Sequence, residues 1–127
     1  GLSQVAYLQT HPKNLYYPSS LDNAIQWFLR NAQYNDFVLA SEQTSQVLAQ
    51  KAGVRVYLGH EMETLGYQKK MEEVDAFFQG KMPELASLPI QWVVYGPLER
   101  QLGLDFEVPV NLKLVYDSQE LQIYQVR

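Results

Sequence analysis

The segment FVLASEQTSQVLAQKAGVRVYL, residues 37–58, decides how this chain folds. It opens with a short apolar run typical of a strand and closes with a second such run, VRVYL. Between them Ser41 can cap a helix that buries Val47 and Leu48, and Gly53 can end that helix. Strands separated by a helix lie parallel, because the crossover returns the chain to the same edge of the sheet. The segment therefore predicts an α/β fold.

One further helix is predicted before this segment and one after it. The first begins near Ser20, whose hydroxyl can cap it, and Asp22 suits the positive end of the helix dipole. The second is capped by Thr64 or Glu63 and ends at Gly80. The predicted inward stripes are Leu21, Ile25, Phe28 and Leu29 in the first helix and Tyr67, Met71, Val74 and Phe78 in the second.

The C-terminal third of the chain supplies the remaining strands. Residues 90–96, IQWVVYG, read as a strand, and residues 98–102 can form a short helix with Pro97 in its first turn. The runs LKLVY, residues 112–116, and LQIYQV, residues 121–126, alternate with period two. This alternation on both sides of a polar turn predicts an antiparallel hairpin.

Together these elements predict a Rossmann-like, layered α/β domain over residues 20–127, with a mixed sheet of about five strands and a C-terminal antiparallel hairpin. Residues 1–19 lack a regular period and contain two prolines, so we expect an extended lead-in. A chain of 127 residues that is 46% hydrophobic can bury a core without disulfide or metal staples. The order of the strands does not follow from the pattern.

Composition excludes several classes of function. The chain has no cysteine, which rules out disulfides and thiolate chemistry and leaves the compartment open. The formal net charge is −4 with both signs spread along the chain, so nucleic acid is not an expected partner. No apolar run reaches the ~20 residues of a membrane span, and no signal peptide is visible. Any targeting information is expected to lie outside this sequence.

Polar residues follow each predicted parallel strand. The loops after such strands gather at one edge of the sheet, where ligands usually bind. We therefore expect seven side chains to face one rim: Ser41, Glu42, His60, Glu61, Glu63, Glu99 and Arg100.

The stretch GHEMET offers the atom types of a metal site but not the spacing. His60, Glu61 and Glu63 supply an imidazole and two carboxylates, as zinc or manganese would need. The spacing does not place two histidines on one helix face, as the H-E-x-x-H arrangement does. We therefore predict no metal here. Gly59 should close the second strand, and His60 and Glu61 should face the rim.

Nucleotide and hydrolase chemistry are also disfavoured. The turn ASEQT after the first strand lacks the glycines of a dinucleotide or phosphate loop, and Glu42 would repel a pyrophosphate, so we predict no cofactor. Ser41 lacks a G-x-S-x-G elbow and is better interpreted as a helix cap. Glu99 and Arg100 could hold an anion, but an exposed ion pair at a helix start is the simpler interpretation.

Five segments stand in order within residues 21–126: IQWFLRNAQYNDFVLAS, AGVRVYLGHEMET, KKMEEVDAFFQG, IQWVVYGPLER and LKLVYDSQELQIYQV. Together they resemble the C-terminal soluble domain of polytopic bacterial membrane proteins of the glycosyltransferase type. That tail carries a W-L-R helix, a V-L-A-S strand end, an A-G-R-R-V-Y-x-G-H strand with E-T after it, a V-x-Y-G-P-x-E-R strand end and a final I-Y-x-V. Such proteins are similar to mannosyltransferases and arabinosyltransferases that use lipid-linked sugars.

The resemblance implies a non-catalytic, extracytoplasmic domain that faces the periplasm or cell exterior. Its partners would be the membrane-embedded part of a longer chain and a lipid-linked sugar or glycan acceptor, contacted through the rim. The catalytic acids of such enzymes lie in loops between membrane spans, which this chain lacks. The related oligosaccharyltransferase tail carries Trp-Trp-Asp-Tyr-Gly after its first strand. This chain has SEQTS at residues 41–45 instead, so peptide recognition by that motif is not implied.

The layout alone also fits two other functions. A free-standing α/β module, binding a small ligand or acting in regulation, would use the same rim. A small hydrolase would depend on Ser41 or His60. The sequence does not specify the sugar, the acceptor or the oligomeric state.

Overall fold

A computed structural model of the protein describes residues 17–33, 35–58, 64–81, 89–103 and 106–127. None of the helices in these ranges is long and apolar enough to cross a membrane. The described ranges contain four helices and five strands: α1 (Ser20–Asn31), β1 (Phe37–Leu39), α2 (Glu42–Lys51), β2 (Arg55–Val56), α3 (Thr64–Phe78), β3 (Trp92–Tyr95), α4 (Pro97–Arg100), β4 (Leu112–Asp117) and β5 (Gln122–Val126).

The five strands form one mixed sheet in the order β2-β1-β3-β5-β4. β1 pairs in parallel with β2 and β3, whereas β5 runs antiparallel to β3 and β4. The predicted α/β fold with a mixed sheet and a C-terminal hairpin is therefore confirmed. The chain leaves β1 for β2 on one side and then returns to β3 on the other side. The carboxyl ends of β1 and β3 consequently flank the point where the direction of winding reverses.

A hydrophobic core covers each face of the sheet. The strands alternate in and out with period two, so neighbouring residues such as Val38 and Leu39 enter opposite cores. One core packs beneath α1 and α2 and the other beneath α3. The first core includes Phe28, Val38, Leu48, Val94 and Ile123, and the second includes Leu39, Phe77, Phe78, Val93 and Tyr124.

Helix α1 departs from the sequence prediction in two places. Its N-cap is Ser19, which makes no side-chain cap, and the predicted cap by Ser20 is wrong. The carbonyls of Pro18 and Ser19 accept from the first free N–H groups instead, and the Ser20 hydroxyl is buried without a partner among the described residues. Leu29 is 54% exposed, because the buried stripe is centred on Leu21 and its neighbours three, four and seven positions later.

Helix α2 ends as the sequence predicts. The Ser41 hydroxyl accepts from the Thr44 N–H at its start, and Gly53 takes a φ of +68° just beyond its end. That φ lies in the left-handed region, which glycine adopts without steric cost.

Helix α3 shows part of the predicted pattern. Val74 and Phe78 are buried, with Tyr67 and Met71 partly buried against them. The residues before Thr64 and the lead-in before Tyr17 lie outside the described residues. The predictions for those segments, including a cap by Thr64 or Glu63, stay predictions.

The pair Phe28 and Leu29 tests the assignment of the buried stripe. Phe28 is 1% exposed, so Phe28→Ala should lower the free energy of unfolding by about 3–5 kcal/mol through lost burial and a residual cavity. Leu29→Ala is the matched control and should change it by less than about 0.5 kcal/mol. Urea unfolding followed by far-UV circular dichroism measures both. Similar losses for the two variants would contradict the orientation of α1.

Candidate functional site at the carboxyl ends of the strands

The candidate site lies at the edge of the sheet that holds the carboxyl ends of β1 and β3, here called the rim. α2 begins there directly after β1, and α4 begins there after β3. The turn between β4 and β5, residues 118–121, reaches the same edge because Tyr95, the last residue of β3, pairs with Gln122, the first residue of β5. The rim thus joins two crossover turns and a hairpin turn.

A buried carboxylate connects the two crossover turns. Glu99 is 1% exposed, and its Oε2 accepts from the Ser41 N–H at 3.0 Å. Its Oε1 accepts from the Gly96 N–H at 2.9 Å. Residues 58 positions apart are therefore held through one side chain. Hydrogen bonds to an ionised acceptor are roughly twice as strong as neutral ones, and an unpaired buried N–H is costly.

Local sequence places this carboxylate. Pro97 presets the first turn of α4, so Glu99 sits three residues after Gly96 and reaches back to its N–H. Gly96 itself allows close packing, since a Cβ there would lie 2.9 Å from Leu121 Cδ1.

The carboxylate also lies at the start of α2, beyond its N-cap Ser41. Helix N-termini attract anions because their first N–H groups have no partner within the helix. Glu99 therefore provides, from within the chain, the negative charge that a bound phosphate supplies in nucleotide-binding folds of this layout.

Arg100 points away from Glu99 and fastens the hairpin turn to the rim. Its Nη2 donates to Gln122 Oε1 at 2.8 Å, and its Nη1 donates to the Glu120 carbonyl. The guanidinium lies 4.8 Å from the centre of the Tyr95 ring. The prediction of an exposed ion pair between Glu99 and Arg100 is therefore wrong. The buried carboxylate accepts from backbone N–H groups, and the guanidinium donates to the hairpin.

Glu42 marks the side of the rim nearest α3. It is exposed and accepts from the Tyr67 hydroxyl at 2.8 Å. Burial raises the pKa of Asp75, and the negative charge of Glu42 raises it further. Tyr67 and Asp75 were not predicted as rim residues, because the sequence does not show where α3 crosses the sheet.

Asp117 and Gln122 form the opposite side of the rim. Asp117 Oδ1 accepts from Gln122 Nε2 at 3.0 Å and from the Gln119 N–H at 2.9 Å. These bonds, the Gln122 bond foremost, lower the pKa of Asp117, and the charge of Arg100 contributes further. Sequence reasoning missed both residues, since a hairpin turn reaches this rim only if β5 pairs with β3.

The structure thus brings four of the seven predicted residues to the rim. Ser41 and Glu99 are joined directly, Arg100 holds the hairpin, and Glu42 faces α3. His60, Glu61 and Glu63 lie outside the described residues, as does Gly59. Within the described part of the chain, no three or more acidic or histidine side chains are grouped as a metal site would require. Ligand binding by the seven residues stays a prediction.

The role of Glu99 can be tested by substitution. Glu99→Ala should lower the free energy of unfolding by about 2–4 kcal/mol, because it leaves two buried N–H groups without an acceptor. Glu120→Gln, an exposed change on the hairpin turn, is the control and should cost less than about 0.5 kcal/mol. Urea titration of both variants measures the difference. Glu99→Ala behaving like Glu120→Gln would show that the bridge is not needed for stability.

The two shifted carboxyls should show pH dependence of opposite sign. The pKa of Asp75 is raised by folding, so its charge opposes folding above that pKa, and Asp75→Asn should raise the urea midpoint at neutral pH. The pKa of Asp117 is lowered, so its charge favours folding, and Asp117→Asn should reduce the midpoint. Both differences should vanish in acid below the lowered pKa of Asp117, where both aspartates are protonated in the folded and in the unfolded chain. Shifts of the same sign would contradict these environments.

Comparison with known proteins gives one informative result. No protein-family model and no curated protein sequence matches the chain. Among solved structures, the chain is similar to the C-terminal globular domain of an oligosaccharyltransferase from Archaeoglobus fulgidus, with a TM-score of 0.60 at 12% sequence identity. The alignment covers 88% of this chain and 99% of that domain. The chain therefore shares the fold of that domain over nearly its full length.

Proposed function

We propose that this chain is a non-catalytic, extracytoplasmic C-terminal domain of a membrane-embedded glycosyltransferase-like protein. In this role it assists the binding of a glycan acceptor or a lipid-linked sugar at the rim. The membrane-embedded part of the same polypeptide is its principal partner, and the domain faces the periplasm or the cell exterior. The fold shared with the oligosaccharyltransferase domain is the observation that carries this proposal.

Sequence and fold support the proposal separately. The five ordered segments resemble the tail of bacterial membrane enzymes of the mannosyltransferase and arabinosyltransferase type. The structural neighbour is described as the C-terminal globular domain of an oligosaccharyltransferase, which is a glycosyl-transferring enzyme. Because one fold hosts many functions, the assignment depends on the rim as well as on the architecture.

The hydrogen bonds that the rim side chains already make within the chain favour an accessory role over a catalytic one. Ser41 is a helix cap whose hydroxyl donates to Thr44 Oγ1 at 3.1 Å, and each oxygen of the buried Glu99 carboxylate accepts from a backbone N–H group. A nucleophile or general acid needs a free atom facing the substrate. Neither group provides one, so any transfer chemistry is assigned to the membrane-embedded part.

The charge of the rim favours sugar hydroxyls over phosphate. Glu42, Asp117 and Glu120 are exposed there, whereas the positive charge of Arg100 is already fastened to the hairpin. Carboxylate and amide oxygens accept hydrogen bonds from hydroxyl groups and repel phosphate. The rim therefore suits a neutral sugar of the acceptor or donor, and the lipid phosphate would be held elsewhere.

We propose that the acceptor bound at the rim is not a peptide. At residues 41–45 the chain carries SEQTS, of which Glu42 to Ser45 form the first turn of α2. Thr44 and Ser45 are buried, with the Ser45 hydroxyl donating to the Ala40 carbonyl. This turn presents no aromatic side chains for packing against a peptide. A saccharide acceptor is accordingly preferred.

A free-standing small-ligand module is the alternative, favoured by the convergence of turns where the winding reverses. The full gene decides between the two. We expect several apolar segments of about 20 residues upstream of this domain in the same reading frame. A gene without them would remove the proposed function. A broad metabolite screen by thermal shift would then test the alternative, which requires at least one ligand that raises the melting temperature.

Sugar binding can be tested on the 127-residue chain by amide nuclear magnetic resonance. Methyl mannoside and methyl arabinofuranoside should shift the amide signals of Ser41, Gly96 and Gln122, with an affinity on the order of 1–10 mM. Inorganic pyrophosphate is the matched control and should leave these three signals unchanged. Shifts caused by pyrophosphate alone, or sugar-induced shifts away from the rim, would contradict the proposed rim chemistry.

A further inference from the structure

An exposed apolar stretch, here called the apolar tip, spans the lead-in to β4 and the first half of that strand. Its side chains are Val108, Val110 and Leu114, which are 46%, 98% and 47% exposed. The only other large hydrophobic residue of the described part that is exposed to this degree is Leu29, near the end of α1. Single exposed apolar residues are ordinary on protein surfaces, so these three carry an argument only together with the charges around them.

Val110, the most exposed of the three, lies at the edge opposite the rim, where β1 and β3 begin, here called the amino edge. The Arg127 N–H donates to the Asn111 carbonyl at 2.9 Å, which places Val110 beside the end of β5. The Val126 N–H donates to the Gln91 carbonyl at 2.9 Å, just before β3 starts. Val110 and the candidate site therefore lie at opposite ends of the sheet.

Charge is distributed unequally between these two ends. At the amino edge, the end of α1, the start of β2, the start of β4 and the end of β5 carry exposed basic residues. At the rim, the start of α1, the start of α2 and the hairpin turn carry exposed acids. The basic residues are Arg30, Arg55, Lys113 and Arg127, and the acids are Asp22, Glu42, Asp117 and Glu120.

Opposing charges at each end are fewer. Near the amino edge, Asp36 is half-buried and accepts from Trp92 Nε1 at 3.0 Å, and Glu107 is exposed. At the rim, Arg100 is held by the hairpin, and Lys70 of α3 has its Nζ 5.1 Å from the centre of the Tyr57 ring, just beyond the end of β2. The domain therefore presents an apolar tip within a basic surface, although its net charge is −4.

The free side of β4, the outermost strand, is poorly suited to pairing with a strand of another chain. The Leu112 N–H already donates to the Pro109 carbonyl at 3.1 Å, and a bulge interrupts the ladder between Leu114 and Tyr116. Bulges and short free edges are how sheets avoid pairing with other chains. Contact at the tip must come mainly from side chains, as it does when apolar groups enter lipid and nearby Lys and Arg meet the headgroups.

We propose that the amino edge binds an anionic lipid surface, with Val110 entering the interface and Lys113 and Arg127 contacting lipid phosphates. The rim then faces away from the bilayer, so of the two ligands proposed for it this orientation favours the glycan acceptor over a lipid-linked sugar. The inference stands on exposure and charge alone and does not depend on the proposed function. A free-standing domain with this tip would bind lipid equally, and loss of sugar binding would leave it intact.

The absence of cysteine allows a site-specific test. Val110→Cys, labelled with an environment-sensitive fluorophore, should shift to the blue with vesicles of phosphatidylcholine containing phosphatidylglycerol. Glu120→Cys with the same label, on the hairpin turn, is the control and should not shift. This substitution removes a negative charge and can only strengthen binding to anionic vesicles. The absence of a shift at position 120 therefore cannot be due to the substitution itself. Far-UV circular dichroism confirms that both labelled chains are folded.

Charge reversal tests the electrostatic part. The double variant Lys113→Glu/Arg127→Glu, carrying the label at position 110, should bind these vesicles at least about tenfold more weakly. No blue shift at position 110, an equal shift at position 120, or binding that ignores the phosphatidylglycerol content would overturn the proposal. A shift that appears with protein concentration in the absence of vesicles, together with a dimer in sedimentation, would assign the tip to self-association instead.

Discussion

The carboxylate of Glu99 is the interaction on which the arrangement of the rim depends. The turns after β1 and β3 each end in backbone N–H groups that the sheet cannot satisfy. One buried side chain accepts from both, at Ser41 and at Gly96. Without it, one buried donor would lack a partner at the start of α2, where the helix dipole favours a negative charge, and a second would lack one at the start of α4. The geometry of the crossover turns therefore follows from a single acid placed three residues after a glycine.

This arrangement explains how the crevice at the reversal point, where ligands bind in other α/β sheets, can be closed by a side chain of the chain itself. In α/β sheets of this kind the reversal point leaves a crevice, and a ligand supplies the anion there. Here the chain supplies its own. What remains accessible are the flanks of the rim, with Glu42 and Tyr67 on one side and Asp117 and Gln122 on the other. These flanks carry hydrogen-bonding groups suited to hydroxyls, which supports the proposal that the rim binds a saccharide.

Sequence patterns predicted the helices and strands better than the order of the strands and the contacts between distant segments. Alternation with period two gave the hairpin, and the serine and glycine ends of α2 gave its bounds, because these signals are local. The burial of Glu99 was not predictable, since an acid followed by Arg100 reads as exposed unless its distant N–H partners are known. Asp117 was missed for a related reason. It reaches the rim only through the pairing of β5 with β3, and strand order depends on packing of the whole chain.

Native-state amide hydrogen exchange at Ser41 and Gly96 tests the central claim most directly. If Glu99 closes both turns as one buried unit, the two N–H groups should open together, with a free energy close to that of global unfolding. They should be as well protected as the Tyr57 N–H, which donates to the Val38 carbonyl within the sheet. Exchange of either amide at the rate of an open loop, or two clearly different opening energies, would contradict the account.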